Sequence, residues 1–128
     1  MTNPIEKWHK IIKSGSVDLL SDIIADTCIF YSPVVYSPQE GKEITIKYLS
    51  AAAMVFGVDS FFYTKELINK NNACLEFELE INEIKINGID LITWNDENKI
   101  TEFRVFIRPL KGVQIIHEFM GGTLDKIS

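Results

Sequence analysis

Two hydrophobic periods divide the chain near residue 59. Before it, apolar residues recur three and four apart; after it, they alternate with polar ones. Ile5, Trp8, Ile11 and Ile12 predict an amphipathic helix over residues 4–14, with Lys7, Lys10 and Lys13 outward. Gly15 is placed to end it. Ser16 then offers an N-cap to a second helix with the stripe Leu19, Leu20, Ile23 and Ile24, closed by Asp26-Thr27. Cys28–Tyr31 reads as a short strand. Pro33 and Pro38 make Ser32–Gly41 an extended loop, because proline fits neither a regular ladder nor a helix interior. Lys42–Phe56 is a third helix, with Ile44, Tyr48, Ala51, Ala52 and Val55 on one face and Gly57 at its end.

Beyond that point the spacing predicts four strands. Asp59–Ile68 is the first, followed by a turn at Asn69-Lys70-Asn71-Asn72. In Ala73–Ile81, Leu75, Phe77, Leu79 and Ile81 share one face, opposite Glu76, Glu78 and Glu80. Asn82-Glu83 makes a tight hairpin into Ile84–Asn95, where Asn87-Gly88 reads as a bulge. Asn95–Asn98 turns the chain into Lys99–Arg108, and Pro109 ends that strand. Residues 111–125 form a closing helix on Val113, Ile116, Phe119, Met120 and Leu124, weakened by Gly121-Gly122. Helices followed by an antiparallel meander make one α+β domain, residues 1–128.

One acid breaks the pattern. In Ile89–Trp94 the strand parity sets Asp90 beside Ile92 and Trp94. If that face is interior, the carboxyl costs about 1–3 kcal/mol unless hydrogen-bonded, and its charged form more. Such an acid tends to carry a raised pKa and is a candidate for chemistry. The competing reading is a core acid that bonds Trp8, Tyr36 or a backbone amide.

Composition removes several functions. The net charge is −5, and no basic run or aromatic–basic interleaving offers a phosphate-binding surface, so no nucleic-acid partner is expected. No stretch reaches the ~20 apolar residues that cross a bilayer, and the start lacks a leader-like pattern. Cys28 and Cys74 lie in apolar runs and read as buried free thiols; with two distant histidines, a zinc site lacks material. The expectation is a cytoplasmic protein without metal or cofactor.

Across its length the chain resembles the NTF2-like superfamily, within it the SnoaL-like and ketosteroid-isomerase-like proteins. The resemblance rests on helix–Gly–helix, Ala25-Asp26-Thr27-Cys28-Ile29-Phe30, and the spacing of Gly15, Pro33 and Gly41. It also rests on Asp90-x-x-x-Trp94-Asn95-Asp96-x-x-Lys99-Ile100. It implies an α+β cone-shaped barrel: three N-terminal helices on a curved antiparallel or mixed sheet, a closing helix, and a homodimer through the outer sheet face. The cavity inside would take a small apolar molecule. Ketosteroid isomerases carry a helix tyrosine and a neutral strand aspartic acid as oxyanion hole, with an aspartate before the loop proline as base. The matching positions are Trp8, Asp90 and Ser32. Only the acid is kept, and Ser32 has no activating histidine in reach, so the isomerase mechanism is not expected.

By parity and resemblance the expected cavity is polarised by Asp90. Its candidate lining is Trp8, Ser32 and Tyr36 from the first half of the chain. Phe61, Tyr63, Phe77, Trp94, Phe103 and Val105 come from the strands. Three functions stay open: a small-molecule binding module, an isomerase, cyclase or hydrolase using Asp90 as acid, or an interaction domain with a filled cavity. Arg104 and Arg108 face outward with Glu76, Glu78 and Glu80 as a charge lattice, among Phe62, Leu91 and Phe106. His9 and His117 flank buried stripes and read as structural.

Overall fold

The computed structural model describes residues 3–57 and 59–127; Met1, Thr2, Val58 and Ser128 lie outside the described residues. Helix α1 spans Pro4–Ser14. Asn3 caps it by accepting the Ile5 amide at 2.9 Å, and Gly15 ends it at φ 74°. The expected second helix shrinks to a 3₁₀ turn at Val17–Leu19 and one α-turn, α2, at Leu20–Ile23. Ser16 makes no side-chain cap, and Leu19 is exposed. Ile24, taken for the helical stripe, instead opens strand β1, Ile24–Tyr31. Four apolar residues cannot hold a helix when the following β-branched run has a strand partner waiting.

That partner is β6, Ile100–Arg108, to which β1 runs parallel. Strand β2 (Gln39–Glu40) pairs with β1, and helix α3 covers Lys42–Phe56. Strands β3 (Phe62–Ile68), β4 (Asn72–Ile81), β5 (Ile84–Trp94) and β6 form the expected antiparallel meander. The first of them starts at Phe62 and not at Asp59, which lies in a turn. The sheet is open, in the order β2-β1-β6-β5-β4-β3. Helix α4, Leu110–Ile127, closes the chain.

Asn82 and Glu83 both take positive φ, 50° and 67°, the two-residue hairpin whose twist matches its strands. Asn87-Gly88 is not a bulge: the ladder runs unbroken through both residues on either side, and the irregularity falls at Thr93/Trp94. Gly88 answers to a different demand. A Cβ there would meet the Phe77 ring at 2.4 Å and the Phe106 carbonyl oxygen at 2.6 Å, so the missing side chain gives Phe77 its place. The inner face carries two apolar clusters. One joins Trp8, Leu20, Leu49, Leu75, Ile92 and Phe103; the other joins Phe56, Phe77, Leu79, Ile86 and Ile116.

Candidate functional site

Asp90 sits mid-strand on the inner face, opposite Leu75 of β4 and Val105 of β6, and is 2% exposed. Its partner is neither Tyr36, which is 99% exposed, nor Trp8 directly. The Tyr63 hydroxyl, from β3, donates to Asp90 Oδ2 at 2.7 Å. Trp8 Nε1, from α1, donates in turn to the Tyr63 oxygen at 2.8 Å. The three side chains form one directed relay from indole to phenol to carboxyl.

The electrostatics follow from burial. Desolvation lifts the Asp90 pKa to about 7, against the Tyr63 hydrogen bond, which pulls it down. Burial and then the Asp90 charge push the Tyr63 phenol well above its ordinary value, so it stays a donor. Among the described residues no buried side-chain nitrogen or oxygen lacks a partner. Outside the relay, His9 Nε2 meets Glu66 Oε1 at 2.6 Å, and the His9 ring packs edge-on to Tyr63 at 5.1 Å.

A partly open, largely apolar cavity lies elsewhere. It measures about 110 Å³ and sits between α3, α4, the loop after β1 and strand β6. Ala52, Phe56, Val105, Ile116 and Met120 wall it, and Pro33, Val34 and Val35 close one side. Polar groups are few: Ser32, Tyr48 and His117. Asp90 is not in its lining, so the carboxyl does not polarise this cavity.

The sequence-predicted residues therefore divide among four places. Ser32 and Val105 line the cavity. Trp8, Phe77, Trp94 and Phe103 are core, with Trp8 edge-on to Phe103 at 4.9 Å. Phe61 and Tyr63 border an open cleft beside His9, and Tyr36 borders a shallow groove with Arg104, whose guanidinium lies 3.6 Å over the Tyr31 ring. Sequence reading missed Tyr48, Phe56, His117 and Met120. Tyr48 and Met120 carried only the signal of a helical stripe, which reads the same for core and for cavity wall; Phe56 and His117 lay beside the stripes and carried none. Glu78 points away from Asp90, as its parity requires.

Among the described residues no group of three or more His, Cys, Asp or Glu could hold a metal ion. No described helix is long and apolar enough to cross a membrane.

No protein-family model matches the chain, and no curated protein is similar to it. Solved structures are similar. A steroid delta-isomerase from Pseudomonas aeruginosa superposes with a TM-score of 0.89 at 28% identity, over 96% of this chain and 90% of that one. An uncharacterised conserved bacterial protein with a cystatin-like fold from Silicibacter pomeroyi gives 0.85 at 26% identity, over 95% and 85%. An NTF2-like protein of unknown function from Mesorhizobium loti gives 0.71 at 14% identity, over 82% and 88%.

Proposed function

We propose, for a chain that belongs to the NTF2-like superfamily, that this protein binds a small apolar molecule in the cavity between α3 and α4. One observation carries the reading: a volume of about 110 Å³ walled by aliphatic and aromatic side chains, with few polar atoms in it. Apolar cavities of about 150 Å³ stay dry and accept benzene. A ring or chain of roughly six carbons is the matching size. The proposal does not rest on a delta-isomerase reaction: the resemblance puts a base before the loop proline, and Ser32 stands there, its oxygen accepting the Val34 amide at 3.1 Å. Asp90, spent on Tyr63, has no reach into the cavity.

The test uses benzene as probe. Benzene near saturation raises the unfolding midpoint of the wild type, because a ligand at a hundred times its Kd adds about 2.7 kcal/mol. Ala52→Phe fills the cavity, stays folded by circular dichroism and loses the shift. A wild type indifferent to benzene, or an unchanged shift in Ala52→Phe, overturns the reading.

The outer sheet face supports a second proposal, a homodimer. Phe62, Leu67 and Phe106 are half-exposed there, at 55%, 60% and 52%. Around them Asn87 ties Glu76 to Arg108, donating at 3.1 Å and accepting at 3.1 Å. Apolar residues ringed by charge suit an isologous contact. Sedimentation should give a dimer for the wild type and a monomer for Phe106→Glu; a monomeric wild type ends the idea.

A further inference from the structure

We propose that Val105 sets the ligand specificity of the cavity: it stands between that space and the Asp90 carboxyl, so the site takes apolar molecules and turns away hydroxylated ones. This rests on the cavity being a ligand site and adds what selects its ligands. The placement follows from the sheet. Among the described residues only two strands reach the cavity, β1 through Phe30 and β6 through Val105. Phe103 and Ile107, two positions either side of Val105 on the same face of β6, do not line it, and no residue of β5 does. Strand β5 is next to β6 in the sheet, and Asp90 is its residue directly opposite Val105.

Side chains opposed in this way share a face of the sheet, with Cβ atoms about 4.5–5.5 Å apart. Crossing the sheet from the cavity, Val105 comes first, then Asp90, then Leu75 of β4, with Tyr63 of β3 beyond. The Tyr63 hydroxyl takes Oδ2 and holds the carboxyl toward the β3 side, leaving Oδ1 as the oxygen to meet a ligand. Inside the cavity a ligand hydroxyl gives up its bonds to water and finds mostly carbon around it, which favours apolar molecules. Alanine at position 105 keeps the strand and removes the two methyl groups that part this space from the acid. Val105 is thus the side chain whose size decides whether the acid belongs to the core or to the site.

The experiment measures calorimetric affinity for toluene and phenol, close in size and different in the hydroxyl. It is run at pH 8, where Asp90, with its pKa raised to about 7, is ionised. The expected result in Val105→Ala is a shift of about tenfold in the affinity ratio toward phenol, the worth of one hydrogen bond to a charged group. The ratio cancels the extra room, which serves both probes alike. Adding Asp90→Leu to Val105→Ala returns the ratio to the wild-type value. Asp90→Leu alone leaves it there, a result that needs no change at Val105. Toluene binding with an unshifted ratio in a folded Val105→Ala overturns the role of Val105 and spares the cavity. A ratio altered by Asp90→Leu alone overturns it too, since the acid would then already meet the ligand. Toluene binding to neither the wild type nor Val105→Ala overturns the cavity reading itself.

Discussion

Raising the pH from 4 to 8 should destabilise the wild type by about 4 kcal/mol relative to Asp90→Asn, and the difference should be flat above pH 8. The Asp90 carboxyl titrates at about 7 in the fold and near 4 in the unfolded chain. Between those values the folded state holds a proton that the unfolded state has released, so stability falls as pH rises. The contribution is complete below pH 4 and gone once the pH passes the folded value. Three decades of proton affinity at about 1.4 kcal/mol each give the stated size. Asparagine keeps the shape and an oxygen for Tyr63 to donate to, and it does not titrate. Comparing the two proteins therefore cancels every other group, including the His9–Glu66 pair nearby. Urea midpoints at pH 4, 6 and 8 check it. A difference that stays constant with pH, or grows in the opposite direction, rejects a carboxyl held in this desolvated state.

Tyr63→Phe should cost about 3–5 kcal/mol at pH 8, the second large effect. The phenol oxygen serves two neighbours at once, accepting from Trp8 at 2.8 Å and donating to Asp90 at 2.7 Å. Removing it strands a buried indole N–H and leaves a buried acid without its donor, each worth about 1–3 kcal/mol. It also removes the one interaction that pulls the Asp90 pKa down, so the variant's carboxyl titrates higher still. Adding Asp90→Leu to Tyr63→Phe should recover part of the loss, since two partners removed together leave fewer orphans than one. A double variant as unstable as the sum of the singles means the relay contributes no coupling. The wild-type protein keeps this polar relay inside an apolar core, and satisfied networks of this kind fix a unique arrangement of the elements that supply them.

How much of this was legible in the chain depends on whether a feature is local. The meander from Phe62 to Arg108 was readable because a strand's faces alternate strictly, and the alternation of Leu75, Phe77, Leu79 and Ile81 excludes a one-residue slip. The same parity grouped Asp90 with Ile92 and Trp94, and the family resemblance supplied the interior side on which Asp90 is buried. The α1 stripe, the Gly15 stop and the Asn82-Glu83 hairpin were local too, set by spacing and by residues that tolerate positive φ.

Tertiary structure decided the rest. Ile24 joined a strand and not a helix because β6, 76 residues downstream at Ile100, lies beside it. Gly88, read as a bulge, is a seat for Phe77, a residue on another strand. Tyr63 became the partner of Asp90 through the packing of β3, β4 and β5, whereas Tyr36, the tyrosine the sequence suggested, is exposed to solvent. The cavity was least legible of all. A wall residue and a core residue present the same apolar side chain at the same helical spacing; only the distance between α3, α4 and β6 separates a filled contact from about 110 Å³ of space. Periodicity records which way a side chain points, and it carries no record of what stands opposite.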